Sequence, residues 1–194
     1  MEAAPQNDPP PEEDARIVAN LKSGHPDGAK ALVRQYGTRL LRSAFLLCQN
    51  EDDAQDLVQE TLIVAIKAVA RYEGKSALYT WLHGILLNQS RHYRRAKARK
   101  KMVFTDRLLD ERMEGLQAAV TQKIMQEASV LADCLRKLSP AHREVIILRF
   151  FENMKLEDIA RQLGVNSSTI RSRLRFALKR LKKFLPNTFN EIPL

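Results

Sequence analysis

Apolar residues recur at spacings of three and four along most of this chain, which is the period of a helix rather than of a strand. The pattern predicts a first helix from about Asp14 to Lys22, with Ile17, Val18 and Leu21 inward, broken at Ser23-Gly24-His25-Pro26. A second runs from Pro26 to about Cys48 through Leu32, Tyr36, Leu40, Leu41 and Ala44, with Gly37 as its weak point. Asn50 can cap a third helix, whose Glu51, Asp52 and Asp53 favour the positive end of the helix dipole. Its packing positions are Ala54, Leu57, Val58, Thr61, Leu62, Ala65, Ile66 and Val69. After a turn at 71–76, with Ser76 as a cap, a fourth helix spans Ala77 to about Lys101.

From Met102 to about Glu127 the apolar period weakens and acids outnumber bases five to three, the signature of a linker. A helix from about Gln122 to Lys137 follows. Ser139 then serves as a cap, with Pro140 at the first helical position. Val145, Ile146, Leu148, Phe150 and Phe151 are expected to pack beneath the final segment. That segment, Lys155 to Leu185, holds two short helical patterns around a tight break. Leu156, Ile159, Ala160 and Leu163 share one face, Gly164 supplies a positive-φ stop, and Asn166 and Ser167 can cap the next helix. Ile170, Leu174, Ala177 or Leu178, Leu181 and Leu185 continue an inner stripe, while the other faces carry Arg171, Arg173, Arg175, Lys179, Arg180, Lys182 and Lys183 without an acid. This is helix-turn-helix grammar, with an ordinary helical hairpin bearing a solvated basic face as the competing reading.

The expected architecture is therefore all-α: two small helical domains joined by a flexible linker. A disordered acidic, proline-rich tail covers 1–13, the first domain 14–101, the linker 102–127, the second domain 128–186 and a short tail 187–194. The formal net charge of +9 in 194 residues points to a polyanionic partner, nucleic acid before membrane. No apolar run reaches the ~20 residues of a spanning helix, and the N-terminus is too acidic for a signal peptide, so a cytoplasmic protein is expected. Cys48 and Cys134 read as buried reduced thiols, and no spacing with His25, His83, His92 or His142 suits a metal. No nucleotide loop, triad pattern or cofactor motif supports an enzyme, a metal site or a small-molecule substrate.

Two further features carry chemistry. In the run RHYRRAKARKK, 91–101, seven of eleven residues are Lys or Arg, more than a helix dipole asks for, which favours phosphate contact. The aromatics before it, Tyr72, Tyr79 and Trp81, suit either stacking on unpaired bases or core packing, with packing favoured for Trp81. Asp53, Asp56, Gln59 and Glu60 form an acidic face in a basic protein. Plain solvation and partner docking both account for it.

Several blocks together resemble a known family. KSGHPDGAKALVRQYGTRLL, DAQDLVQETL, RYEGKSALYTWL and LSPAHREVIILRFFENMKLEDIARQLGVNSSTIRSRLRFALKRL occur in the order found in the bacterial sigma-70 family of RNA polymerase sigma factors. They resemble the extracytoplasmic-function (ECF) group, which keeps only regions two and four. The resemblance implies that 14–101 is region two and 128–186 region four. It implies docking of Asp53, Asp56, Leu57, Gln59 and Glu60 on the clamp helices of core RNA polymerase, with region four on the flap. The −10 element of promoter DNA would be opened and held by Tyr72, Lys75, Tyr79, Trp81, Asn88, Arg91, Arg94 and Arg95. The −35 element would be met by Arg149, Lys155, Ser168, Thr169, Arg171, Ser172, Arg175 and Lys179. Family members are usually held inactive by an anti-sigma factor, often membrane-bound. The chain departs from the family at His92, Leu62, Ile66 and Lys155, three of them in the strand-opening part.

Overall fold

The computed structural model describes residues 11–98 and 131–184, which belong to two separate compact units. Among the described residues there are helices and turns and no strand. The linker at 102–127, the basic positions 99–101, Leu185 and the chain before residue 11 lie outside them.

In the first unit α1 (Pro11–Lys22) packs on α2 (Pro26–Cys48), which in turn packs on α3 (Glu51–Ala68) and α4 (Leu78–Ala98). The first helix starts three residues earlier than its apolar pattern predicts. Pro11 takes the opening position, where no amide hydrogen is needed, and Glu12, Glu13 and Asp14 occupy the first turn. Residues 11–13 are therefore helix rather than tail. The His25 imidazole accepts from the Asp27 amide at 3.3 Å and caps α2. A Cβ at Gly28 would lie 2.8 Å from the Leu21 amide nitrogen, so glycine is what lets α2 approach the α1 backbone. Gly37 does not interrupt α2, because it is buried in the packed interior. The Tyr36 hydroxyl, also inside, donates to the Asp14 carboxylate and ties α2 to α1.

Asn50 caps α3 as its position predicts, its side chain accepting from the Asp53 amide at 2.8 Å. Leu32, Leu40, Ala44, Ala54, Ala65, Leu78, Leu82 and Leu86 form the fully enclosed centre. A 3-10 turn, Val69–Arg71, ends the third helix. The fourth begins at Leu78, one residue later than expected, and Ala77 rather than Ser76 holds the position before it.

The second unit opens with helical residues 131–136. The Arg143 guanidinium donates to the Leu135 carbonyl at 3.1 Å and the Leu138 carbonyl at 3.4 Å, closing the end of that helix. Ser139 and Pro140 start α5 (Pro140–Ile146), with no side-chain cap bond from Ser139. A π-turn, Ile147–Phe151, follows, closed by the Glu152 amide on the Ile147 carbonyl at 3.0 Å. The wider turn shifts the register, so Phe150 is 39% exposed instead of packing inward, and Phe151 is half-buried.

Next come α6 (Leu156–Leu163) and α7 (Ser167–Leu181). Gly164, at φ 66°, ends α6 in a Schellman arrangement: the Val165 amide bonds to Ala160 O at 3.1 Å and the Gly164 amide to Arg161 O at 3.3 Å. Leu135, Val145, Ile147, Leu148, Ile159, Ile170 and Ala177 fill the core. The last helix stops at Leu181, short of the predicted Leu185.

Space around Gly164 is open, so its replacement tests backbone conformation alone. Gly164→Ala is expected to cost about 1–2 kcal/mol in a denaturation midpoint series, and Gly164→Asn less, because asparagine tolerates the left-handed region.

Candidate nucleic-acid interface

The outward face of α7 in the second unit follows from what the helix buries. Ile170, Ala177 and Leu181 are inside, with Leu174 half-buried. At 3.6 residues per turn the opposite stripe is Ser168, Ser172, Arg175 and Lys179, spaced four, three and four. Ser172 is half-buried and the other three are exposed.

Asn166 sets the start of this helix. Its Oδ1 accepts from the Thr169 amide at 2.8 Å, the Thr169 hydroxyl at 2.6 Å and the Ser168 hydroxyl at 2.8 Å. Both hydroxyl protons are turned to the cap, so a phosphate at this end would meet backbone amides rather than the Thr169 hydroxyl proton. Arg171 lies on the flank toward α6, 3.6 Å from the Glu157 carboxylate. Both groups are exposed, and such a pair contributes at most about 1 kcal/mol, so it yields readily to a phosphate or base edge. Lys155 is exposed before α6. Arg149 differs from expectation: it is half-buried, and its Nη1 donates to the Met154 carbonyl at 3.1 Å, bracing the turn into α6.

In the first unit α4 buries Leu78, Tyr79, Leu82, His83, Leu86, Leu87 and Ser90. Its outward stripe is Trp81, Ile85, Asn88, His92 and Arg95. Trp81 and Ile85 are half-buried and the rest exposed. The approach to this stripe is a self-closed turn: the Tyr72 hydroxyl donates to the Ser76 carbonyl at 2.6 Å and Lys22 Nζ to the Tyr72 carbonyl at 3.2 Å. The Tyr72 and Trp81 rings lie 5.1 Å apart at 46°, a tilted pair at the edge of the turn. Exposed Lys75 pairs with the Glu73 carboxylate.

Three more residues expected at the interfaces sit inward. Tyr79 is 4% exposed, 5.7 Å from the Tyr36 ring and with the Arg39 guanidinium 3.5 Å from its centroid. A ring so placed belongs to the core and cannot stack on a base without opening it. Leu57 is likewise buried, because it shares the inner stripe of α3 with Ala54, Val58 and Thr61. Arg94 is half-buried on the side of α4 that continues the core face, whereas Arg91 sits half-buried at the boundary. Ile85 was not expected on this stripe and His92 stands in the sequence only as a departure from the family, although their spacing from Trp81 and Asn88 marks both as outward.

The acidic face is divided. Asp56 and Glu60 are exposed and Gln59 half-buried. Asp53 turns away from them: its Oδ2 lies 3.0 Å from Lys97 Nζ, which also donates to the Tyr93 hydroxyl at 3.1 Å. The Tyr93 and Asp53 bonds raise the Lys97 pKa, and burial leads the causes that raise that of Tyr93. This contact joins the start of α3 to the last turns of α4. Cys48 and Cys134 are half-buried, not fully enclosed as expected. The Cys48 thiol donates to the Ala44 carbonyl at 2.9 Å, and burial pushes its pKa from 9.0 up to about 11. Among the described residues no three His, Cys, Asp or Glu side chains converge to hold a metal.

Two family descriptions match this chain: Sigma-70 region 2 over residues 32–100 and Sigma-70, region 4, over 129–181. The RNA polymerase sigma factor SigV of Bacillus subtilis (strain 168) is 33% identical over 73% of this chain and 81% of its own length. Among solved structures, CnrH in complex with the cytosolic domain of CnrY aligns with a TM-score of 0.63 at 24% identity, covering 89% of this chain and 96% of that one. The sigma factor RpoE in complex with the anti-sigma factor NepR, from Bartonella quintana, aligns at 0.57 and 24%, covering 93% and 97%. Those two structures share the fold. With α7 exposing Ser168, Arg175 and Lys179 below a capped start, the chain belongs to the sigma-70 family of RNA polymerase sigma factors, in its extracytoplasmic-function group.

The Cys48 thiol gives a pH signature. A raised folded pKa means the unfolded chain ionises first, so its contribution to stability is complete below pH 9 and is lost as pH rises toward 11. The unfolding free energy from urea titrations is expected to fall further over that interval in the wild type than in Cys48→Ala, by about 2 kcal/mol.

Proposed function

We propose that this sigma factor is a promoter-specificity subunit that docks on core RNA polymerase, opens the −10 element through residues 14–101 and reads the −35 element through residues 128–186. The outward stripe of α7 carries the reading: two small hydroxyls, then Arg175 and Lys179, on a helix without an acid. Arginine and serine suit base edges and phosphates in a major groove. Asp56, Gln59 and Glu60 are the docking face, meeting a basic element of the polymerase. The separated strand lies along Tyr72, Lys75, Trp81 and Asn88, with Arg91 and Arg95 following the phosphates, and Arg171 and Lys155 flank the −35 contact.

Two small modules on a linker of 102–127 bind promoter DNA weakly until a scaffold fixes their spacing, and core polymerase is that scaffold. The protein then works where polymerase works, in the cytoplasm. None of the described helices is long and apolar enough to cross a membrane. Regulation by an anti-sigma factor is supported by the CnrH–CnrY and RpoE–NepR complexes, whose folds this chain shares.

Transcription of sheared genomic DNA by purified core polymerase, with and without the protein, tests the reading. New discrete transcripts that share spaced upstream elements are expected. Co-elution with core but no transcript would replace initiation with sequestration, and tight DNA binding without core would replace it with a stand-alone regulator.

For the docking face, Asp56→Arg is expected to abolish co-elution with core while the circular dichroism spectrum and melting curve stay those of the wild type. Undiminished core binding would remove Asp56 from that face.

A further inference from the structure

Among the described residues Phe176 is the most exposed of the large apolar side chains, 53% open to solvent, and it sits on α7. The other exposed rings differ in placement. Phe150 lies on the π-turn, and Phe184 lies after the helix beneath the Lys137 ammonium, 4.3 Å from its centroid. Around Phe176 the helical neighbours at three and four residues are Arg173, Ser172, Lys179 and Arg180. The Arg175 guanidinium lies 5.6 Å from its centroid.

An aromatic anchor for a protein partner normally sits in an apolar surround, from which charge is depleted. Here a ring stands among four cations on a helix with no acid. The target that offers negative charge and an apolar group at one place is a DNA major groove containing thymine, whose 5-methyl projects among base edges flanked by phosphates. Helical side chains lean toward the N-terminus, which carries the Phe176 ring toward Ser172, on the outward stripe.

We propose that Phe176 is a specificity-determining residue that reads the 5-methyl group of a thymine in the −35 element. This rests on the assignment of α7 to that element. The ring adds an apolar discrimination that the arginines cannot make, since a guanidinium does not distinguish thymine from uracil.

The test uses holoenzyme assembled from core polymerase and the full chain, on a promoter recovered by the transcription experiment. Each thymine of the −35 element is replaced in turn by deoxyuridine, which removes the methyl and keeps the pairing. Wild-type affinity is expected to fall about fourfold at one thymine, the worth of one buried methyl. Phe176→Ala should bind the thymine promoter at least as weakly and not distinguish it from the deoxyuridine form, whereas Phe176→Leu should keep part of the discrimination. If base-pair changes across the −35 element leave affinity unaltered, the assignment of α7 fails and the proposal with it. If they lower affinity but deoxyuridine does not, or Phe176→Ala discriminates like the wild type, the Phe176 reading alone is overturned. Loss of co-elution with core in Phe176→Ala, with wild-type holoenzyme indifferent to deoxyuridine at every thymine, would overturn it by making the ring a protein anchor.

Discussion

A helix that gives one stripe of side chains to a core has its opposite stripe fixed by the 3.6-residue turn, and both surfaces of this protein follow from that constraint. In α7, Ile170, Ala177 and Leu181 go in, so Ser168, Ser172, Arg175 and Lys179 come out. In α4, Leu78, Leu82 and Leu86 go in, so Trp81, Asn88, His92 and Arg95 come out. Neither surface needs a special loop or cavity. What each needs is a helix start held at one angle. Asn166 with the Gly164 turn provides this for α7, and the closed turn of Tyr72 and Ser76 precedes α4.

The charge distribution is set less by totals than by pairing. A net charge of +9 would spread over the whole surface if every ion stood alone. Asp53 and Lys97 instead neutralise one another across two helices, with Tyr93 completing the contact. The exposed acids of α3 are then Glu51 and Asp52 in its first turn and Asp56 and Glu60 further along. The described span of α7 has no acid of its own, and Glu157 of the neighbouring helix faces Arg171. Positive potential there is concentrated where the helix is exposed.

Most of the helices were legible in the sequence because their signals are local. Pro26 after His25, Asn50 before three acids, and Gly164 followed by Asn166 mark their ends by capping chemistry that does not depend on the rest of the fold. What was not legible depends on contacts far along the chain or on register. Asp53 finds Lys97 across 44 positions, which no local pattern reveals. Phe150 turns outward because a π-turn adds a residue to one turn, and nothing in ILRFF announces it. Tyr79 and Leu57 were assigned by motif, although their helical spacing from Leu82 and from Val58 already placed them inside. Pro11 read as tail because prolines surround it, yet its ring fits the one helical position where a missing donor costs nothing.

Arg143 has a mechanical meaning. Its guanidinium holds the carbonyls of Leu135 and Leu138, so the helix that brings the chain into the second unit is fastened to α5 before the chain reaches α6. A pull arriving through residue 131 would meet this clamp and the packing of Leu135, both ahead of α6 and α7 in the chain. The angle of α7 is then set by its packing on α5 and α6 within the unit, apart from the point at which the chain enters it.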